Sequence, residues 1–149
     1  MTELLFYHLH NQPLDTVLPP LLEKCLERNW RVVVECGSAE RAESLDALLW
    51  TYRDEAFLPH GLARDPSVAS HPVVLATESV NPNGANVRFA VDGAPLGEAA
   101  GFDRVVLIFD GHDGEALDRA RDDWRRATAA GHVATYWQQS TDGRWERKR

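Results

Sequence analysis

Short apolar runs alternate with longer amphipathic segments along this chain. The runs are four to seven residues long, are rich in β-branched and aromatic residues, and are bounded by turn-forming residues. Such runs are typical of strands that are buried on both faces of a parallel sheet. The predicted strands are Leu4–Leu9, Arg31–Glu35, Val73–Ala76, Asn86–Val91, Arg104–Phe109 and His132–Gln138.

Three segments repeat apolar residues at helical spacing. The first starts at Leu14, but its two prolines indicate that regular helix begins only near Pro20. The second covers Ala39 to Tyr52 with Ser38 as its N-cap, and Trp50 lies off its apolar face. The third covers Gly114 to Ala130, and Gly131 ends it at the C′ position.

The remaining segments read as loops and a tail. Residues 53–72 are rich in Pro, Gly, Ser and charge, so we expect a loop with at most a short strand around Phe57–Leu58. Residues 140–149 read as a turn and a polar tail. Strands that alternate with helices predict one α/β domain over residues 1–149. We expect a Rossmann-like, three-layer domain with a largely parallel central sheet and helices on both faces.

Composition and charge limit the classes of function. The 149 residues have a mean hydropathy of −0.38 and a net charge of −7, which excludes a disordered chain and disfavours nonspecific binding to duplex DNA. No apolar run approaches the roughly 20 residues of a membrane helix, and the N-terminus lacks signal-peptide features, so we expect a cytoplasmic protein without membrane contact. Cys25 and Cys36 read as buried or incidental thiols.

Motifs for cofactors and metals are absent from the sequence. It contains no G-x-G-x-x-G and no P-loop, so we expect a Rossmann-like shape without a dinucleotide and without another cofactor. His8 and His10 are two residues apart at the end of a predicted strand, a spacing that zinc sites use, but no third ligand can be assigned. A structural pair is favoured over a metal site.

The turn after the most apolar strand carries the best enzymatic candidates. Asp110, His112 and Asp113 stand at the end of a central strand, where α/β enzymes often place acid–base or metal-binding groups. The alternative is that the two aspartates cap the following helix, and we favour it. A small enzyme or ligand-binding domain centred on these residues stays as the alternative function.

The third predicted helix holds a candidate receptor for an anion. Arg121, Trp124 and Arg125 are spaced i, i+3 and i+4, so they share one surface of the helix. A guanidinium pairs with a carboxylate in fork geometry, and an indole offers a flat apolar wall. On the other interpretation Trp124 belongs to the core and the arginines balance nearby aspartates. Those aspartates are Asp118, Asp122 and Asp123.

Large apolar residues also crowd the loop after the second helix. They either cover the end of that helix or form a contact surface for a partner protein. The residues in question are Trp50, Phe57, Leu58, Pro59 and Leu62.

Several motifs together resemble the chi subunit of bacterial DNA polymerase III holoenzyme. The most specific are LDALLW at 45–50 and FLPHGLA at 57–63. FYHL at 6–9 and RVVVECGS at 31–38 precede them, and AAGH, ATYWQQ and DGRWE follow near the C-terminus. The resemblance covers most of the chain and is weakest between 81 and 101. It implies a Rossmann-like fold and a non-catalytic accessory protein of the clamp-loader assembly.

The resemblance also implies partners and sites. In the family, basic and aromatic residues of the last helix receive the acidic C-terminal tail of single-stranded DNA-binding protein, so DNA contact is indirect. Those positions fall on Arg121, Trp124 and Arg125, while two other basic positions of the family are Leu117 and Thr128 here. A psi subunit or another clamp-loader component, or a repair helicase, is the implied partner of a second surface. Its candidate residues are Trp50, Phe57, Pro59, His60 and Leu62.

Overall fold

One mixed sheet organises the protein. The computed structural model describes residues 2–10, 12–52, 58–97, 99 and 101–149, which form eight strands and three α-helices. The strands are β1 (Glu3–Leu9), β2 (Val32–Cys36), β3 (His60–Leu62), β4 (Val73–Ala76), β5 (Val87–Val91), β6 (Arg104–Asp110), β7 (Val133–Gln139) and β8 (Trp145–Arg147). The helices are α1 (Leu14–Glu27), α2 (Ala39–Thr51) and α3 (Gly114–Ala129), with a 3-10 turn at Val68–Ser70.

The strand order is β3-β4-β2-β5-β6-β1-β7-β8, and every pairing is parallel except β7 with β8. Helices α1 and α2 cover one face, where they pack on residues such as Leu5, Val34 and Phe89. Helix α3 covers the other face above Phe6 and Leu107. The predicted α/β architecture with helices on both faces is confirmed. Among the helices in the described ranges, none is long and apolar enough to cross a membrane.

The connections that follow β1 and β6 lead toward opposite edges of the sheet. From β1 it runs through α1 to β2, and from β6 it runs through α3 in the opposite direction to β7. The carboxyl ends of β1 and β6 lie side by side, with Leu9 opposite Asp110. Such a switch point opens a crevice in α/β sheets. The topology therefore brings the residues after β1 and the turn before α3 together.

Helix α1 begins six residues earlier than predicted. It starts at Leu14, and both Pro19 and Pro20 lie inside it. The carbonyl of Pro13 accepts hydrogen bonds from the N–H groups of residues 16 and 17 at 3.1 and 3.2 Å, which closes the first turn. The buried side chains of this half of the helix offset the two backbone donors that the prolines lack. Those side chains are Leu14, Val17, Leu18 and Pro19.

Two strands were misplaced or missed. The short strand expected around Phe57–Leu58 lies at His60–Leu62; Leu58 precedes it, and Phe57 lies outside the described residues. Part of the predicted polar tail is strand β8, which pairs antiparallel with β7. Trp145 anchors β8, because its ring packs against Tyr7 with 4.8 Å between the centroids. A three-residue strand is too short to show alternation in the sequence.

The predicted N-cap of α2 and the predicted C-terminal end of α3 are confirmed. Ser38 accepts a hydrogen bond from the backbone N–H of Arg41 at 3.2 Å, as an N-cap should. Gly131 has φ 87° and follows α3, and its N–H bonds the carbonyl of Thr128 at 3.1 Å. The next N–H bonds the carbonyl of Ala127, which completes a Schellman motif. These ends depend on local side chains, so the sequence predicts them.

A buried ion pair lies between β2 and β5. Helix α3 packs instead on β1, β6 and β7. Arg88 on β5 and Glu35 on β2 are buried and bonded to each other. The guanidinium of Arg88 also donates to the carbonyls of Leu96 and Pro95, the latter at 2.9 Å. Because a buried guanidinium needs all of these partners, Arg88 ties the segment after β5 onto the sheet.

Candidate partner-binding surfaces

Helix α3 presents two flanks that differ in character. Ala120 and Ala127 are buried and bring the helix axis close to the sheet. Residues 121, 124 and 125 lie on the flank toward β7, whereas Arg119 and Arg126 line a groove on the opposite flank. The predicted trio therefore stays together on one side of the helix.

Trp124 belongs both to the core and to the surface. It is half-buried, and its ring meets Phe6 edge-on with 5.4 Å between the centroids and 70° between the planes. It meets Tyr136 of β7 in the same way at 6.0 Å and 78°. Such edge-to-face contacts fix ring orientation. Trp124 and Tyr136 together form a rigid aromatic wall beside the arginines.

The arginines of the trio are exposed and locally paired. The side chains of Arg121 and Arg125 are 60% and 74% exposed, and they approach Asp118 and Asp122 at 4.0 and 3.1 Å. The helix carries four arginines and four acidic residues, so its own charges balance. Exposed pairs contribute at most about 1 kcal/mol, so an external carboxylate can replace the aspartates as partner. The structure thus confirms that Trp124 packs against the core and that the arginines lie beside aspartates, and the receptor for an anion stays a prediction.

A histidine extends this surface, which the sequence alone did not show. The Nδ1 of His8 and the hydroxyl of Tyr136 are hydrogen-bonded at 2.9 Å, and the ring of His8 also lies 5.2 Å from that of Phe109. Strand register brings these residues together, since residue 8 of β1 stands between β6 and β7. The alternation of side chains along β7 is the signal that could have assigned Tyr136 to the face of Trp124.

Burial, together with neighbouring cations, disfavours the protonated form of His8. Burial lowers the pKa of His8, and the nearby His10, His112 and Arg121 lower it further, while Asp110 raises it. The folded-state pKa therefore lies below that of the unfolded chain. As the pH falls below about 6.5, the unfolded chain takes up this proton first, so folding stability decreases.

We expect a His8→Asn variant to lose part of this pH dependence. The measurement is urea denaturation of the wild type and the variant at about pH 7.5 and 5.5, on either side of the ordinary histidine pKa. The wild type should lose more stability on acidification than His8→Asn, and His132→Asn is the control for removing a histidine elsewhere. Equal losses of folding stability in the wild type and His8→Asn would show that His8 does not cause this pH dependence.

The turn between β6 and α3 uses its polar groups for local structure. Asp113 caps α3 by accepting from the N–H groups of Glu115 and Ala116 at 3.0 and 3.2 Å, as the favoured interpretation predicted. The same prediction is wrong for Asp110, which ends β6 and accepts from the N–H of His112 at 2.9 Å, so it holds the turn before the helix. These hydrogen bonds favour a structural role for both aspartates.

The two histidines at the crevice contact each other. Strand β1 ends at Leu9, so His10 lies just beyond it, and its ring stacks on that of His112 at 5.3 Å. The ring of His112 also bonds the carbonyl of His10 through Nε2 at 2.8 Å. In the part of the chain that the structure describes, no three His, Cys, Asp or Glu side chains are placed to hold a metal ion. A groove of about 1310 Å³ runs from here along α3.

A second surface lies at the end of α2. Trp50 is 50% exposed, and its ring lies 4.2 Å from that of His60, which is itself buried. His60 bonds the carbonyls of Leu58 and Asp46 at 2.5 and 2.9 Å, so it joins the loop to the helix. Beside Trp50 is a cleft of about 440 Å³.

The predicted members of this surface differ in accessibility. Trp50, Pro59 and Leu62 present at least part of their surface to solvent, whereas His60 can act only by holding Trp50 and the loop. Leu58 is 2% exposed and belongs to the core. Phe57 lies outside the described residues.

Both cysteines are buried and unpaired, as predicted. Burial raises the pKa of Cys25 to about 11 and that of Cys36 to about 12. Thiols of this kind stay protonated at neutral pH and are poor nucleophiles.

Comparison with known proteins identifies the family. The sequence model of the family described as "DNA polymerase III chi subunit, HolC" matches residues 1–135. The chain belongs to the DNA polymerase III chi subunit family. The resemblance read from the motifs is thereby confirmed.

Two relatives of the chi family carry corresponding names. The chain is 29% identical over 109 residues to "Probable DNA polymerase III subunit chi" of Rickettsia prowazekii, across 73% of this chain and 66% of that protein. It is 38% identical over 55 residues to "DNA polymerase III subunit chi" of Pseudomonas aeruginosa, across 37% of each. The chain therefore spans just under two thirds of the Rickettsia protein. The chi family match ends just before Tyr136.

Proposed function

We propose that the chain is a non-catalytic accessory subunit of DNA polymerase III, acting in the clamp-loader assembly during replication. In this role it binds the acidic C-terminal tail of single-stranded DNA-binding protein at Arg121, Trp124 and Arg125. Contact with DNA is then indirect, which suits a chain of net charge −7. Family membership supports the replicative role.

The arrangement of α3 and β7 carries this proposal. The indole of Trp124 is fixed edge-on between Phe6 and Tyr136, directly beside the exposed guanidinium groups. An ordered ring gives a terminal aromatic residue an apolar wall with little entropic cost, and arginine pairs with its carboxylate in fork geometry. A peptide that ends in an aromatic residue and carries acidic residues before it satisfies both features.

The surface around Trp50 supports a second contact. A half-exposed indole next to a cleft of about 440 Å³ is typical of an anchor in a protein interface. We assign this surface to a psi subunit or another clamp-loader component, with a repair helicase as a competing partner. It lies on α2 and β3, at the opposite edge of the sheet from β7. Both partners can therefore bind together, which an adaptor requires.

Titration with a labelled acidic peptide that ends in Asp-Ile-Pro-Phe tests the tail site. We expect micromolar binding that weakens from low to moderate salt and is lost when the terminal phenylalanine is removed. The control is a peptide of the same composition with its residues in scrambled order. If the folded protein fails to bind, or binds both peptides equally, the tail site is wrong.

A further inference from the structure

The C-terminal hairpin, residues 133–149, brings another cation to the wall formed by Trp124 and Tyr136. Beyond β8 the backbone continues alongside β7, where the N–H of Lys148 bonds the carbonyl of Tyr136 at 2.7 Å. The N–H of Tyr136 in turn bonds the carbonyl of Arg149 at 3.2 Å. Arg149 is thereby held directly beside the residue whose ring contacts Trp124.

The charge of Arg149 acts on the same phenol as the charge of Arg121. Burial raises the pKa of Tyr136, while the Arg121 and Arg149 guanidinium groups lower it. The two arginines come from different elements, α3 and the C-terminal hairpin.

Arg149 also differs from the neighbouring cations in its pairing. Arg121, Arg125 and Lys148 each approach a carboxylate within 4.0 Å. Arg149 takes part in none of the ion pairs between described residues, and it is exposed. A ligand carboxylate that meets Arg149 displaces none of the carboxylates of the described residues. Because the charges of α3 balance one another, Arg149 adds a cation that α3 itself does not supply.

We propose that Arg149 is a further anion-binding residue of the tail site, which is thus built from α3 and the C-terminal hairpin together. This proposal rests on the proposed function. Guanidinium groups around one aromatic wall fit a peptide whose last residue combines a ring with a terminal carboxylate and whose preceding residues are acidic. Arg149 lies beyond residues 1–135, which the family model matches.

Peptide titration of five proteins tests the role of Arg149. They are the wild type, Arg149→Ala, Arg149→Lys, Arg144→Ala and Arg121→Ala, with the Asp-Ile-Pro-Phe peptide as the probe. Arg144 is the matched control, since it is an exposed arginine of the same hairpin that approaches Asp142 at 3.5 Å. We expect Arg149→Ala to bind about three- to tenfold more weakly than the wild type. Arg149→Lys should retain most of the affinity, and Arg144→Ala should bind like the wild type.

The outcomes separate this inference from the proposed function. If the wild type does not bind the peptide, the proposed tail site fails. If the wild type binds and Arg121→Ala weakens binding, but Arg149→Ala matches Arg144→Ala, the role of Arg149 is overturned and the tail site stands.

A measurement without peptide tests whether the side chain of Arg149 lies near Tyr136. Spectrophotometric titration of the tyrosines should show a higher pKa for Tyr136 in Arg149→Ala than in the wild type, because a neighbouring cation has been removed. An unchanged pKa in the folded variant would place the guanidinium elsewhere and overturn the inference.

Discussion

Replacement of Arg88 by methionine is expected to lower the free energy of unfolding by about 3–5 kcal/mol. The substitution leaves the buried carboxylate of Glu35 without its cation and removes the donor to the carbonyls of Pro95 and Leu96. An uncompensated buried charge is among the most destabilising changes that a single mutation can make. Urea denaturation followed by far-UV circular dichroism measures the loss.

The double variant Arg88→Met/Glu35→Gln isolates the ion pair. It removes the buried charge as well as its partner, so we expect it to be more stable than Arg88→Met alone. Arg64→Met is the matched control, since Arg64 also pairs with a glutamate, at 2.9 Å, but its side chain is 71% exposed. A loss below about 1 kcal/mol in Arg88→Met, as for an exposed pair, would show that the pair does not hold the segment after β5.

Reversal of both charges on the proposed tail site should weaken peptide binding by at least about a hundredfold. In Arg121→Glu/Arg125→Glu each substitution removes a charge-assisted contact, worth about 1.5–3 kcal/mol, and adds repulsion toward an acidic ligand. The helix should stay folded, because the lost pairs with Asp118 and Asp122 are exposed. Fluorescence anisotropy of the labelled peptide gives the affinity.

Two controls separate local from general electrostatics. Arg64→Glu/Arg144→Glu changes the net charge equally at two exposed, paired arginines away from the wall, and we expect at most a small decrease in affinity. Trp50→Ala removes the anchor of the second surface and should bind the tail peptide like the wild type. If the first control weakened binding as much as Arg121→Glu/Arg125→Glu, only overall charge would matter and the site would be wrong.

Local sequence patterns account for only part of the surface proposed as the tail site. The i, i+3, i+4 spacing placed Arg121, Trp124 and Arg125 on one flank of α3, since helical periodicity is a local property. The residues that complete the surface come from β1 and the C-terminal hairpin. His8 and Tyr136 are 128 positions apart and bonded at 2.9 Å. Only the pairing of β1 with β7 brings them together.

The errors in the predicted elements have the same origin. The local rule that prolines begin a helix placed the start of α1 near Pro20, but the buried face from Leu14 onward keeps those residues helical. Likewise β8 has only three residues, and its assignment depends on pairing with β7 and on the contact of Trp145 with Tyr7. In both cases long-range packing outweighed local preference.

Local patterns and extended motifs in the sequence are enough to predict the α/β class, most strands and helices, the caps at Ser38, Asp113 and Gly131, and membership of the chi family. The strand order, the burial of Arg88 with Glu35, and the contacts of Tyr136 with Trp124 and with the backbone of Arg149 became evident only from the folded protein. Strand register joins segments that are far apart in the chain, and a local pattern carries no information about which segments pair.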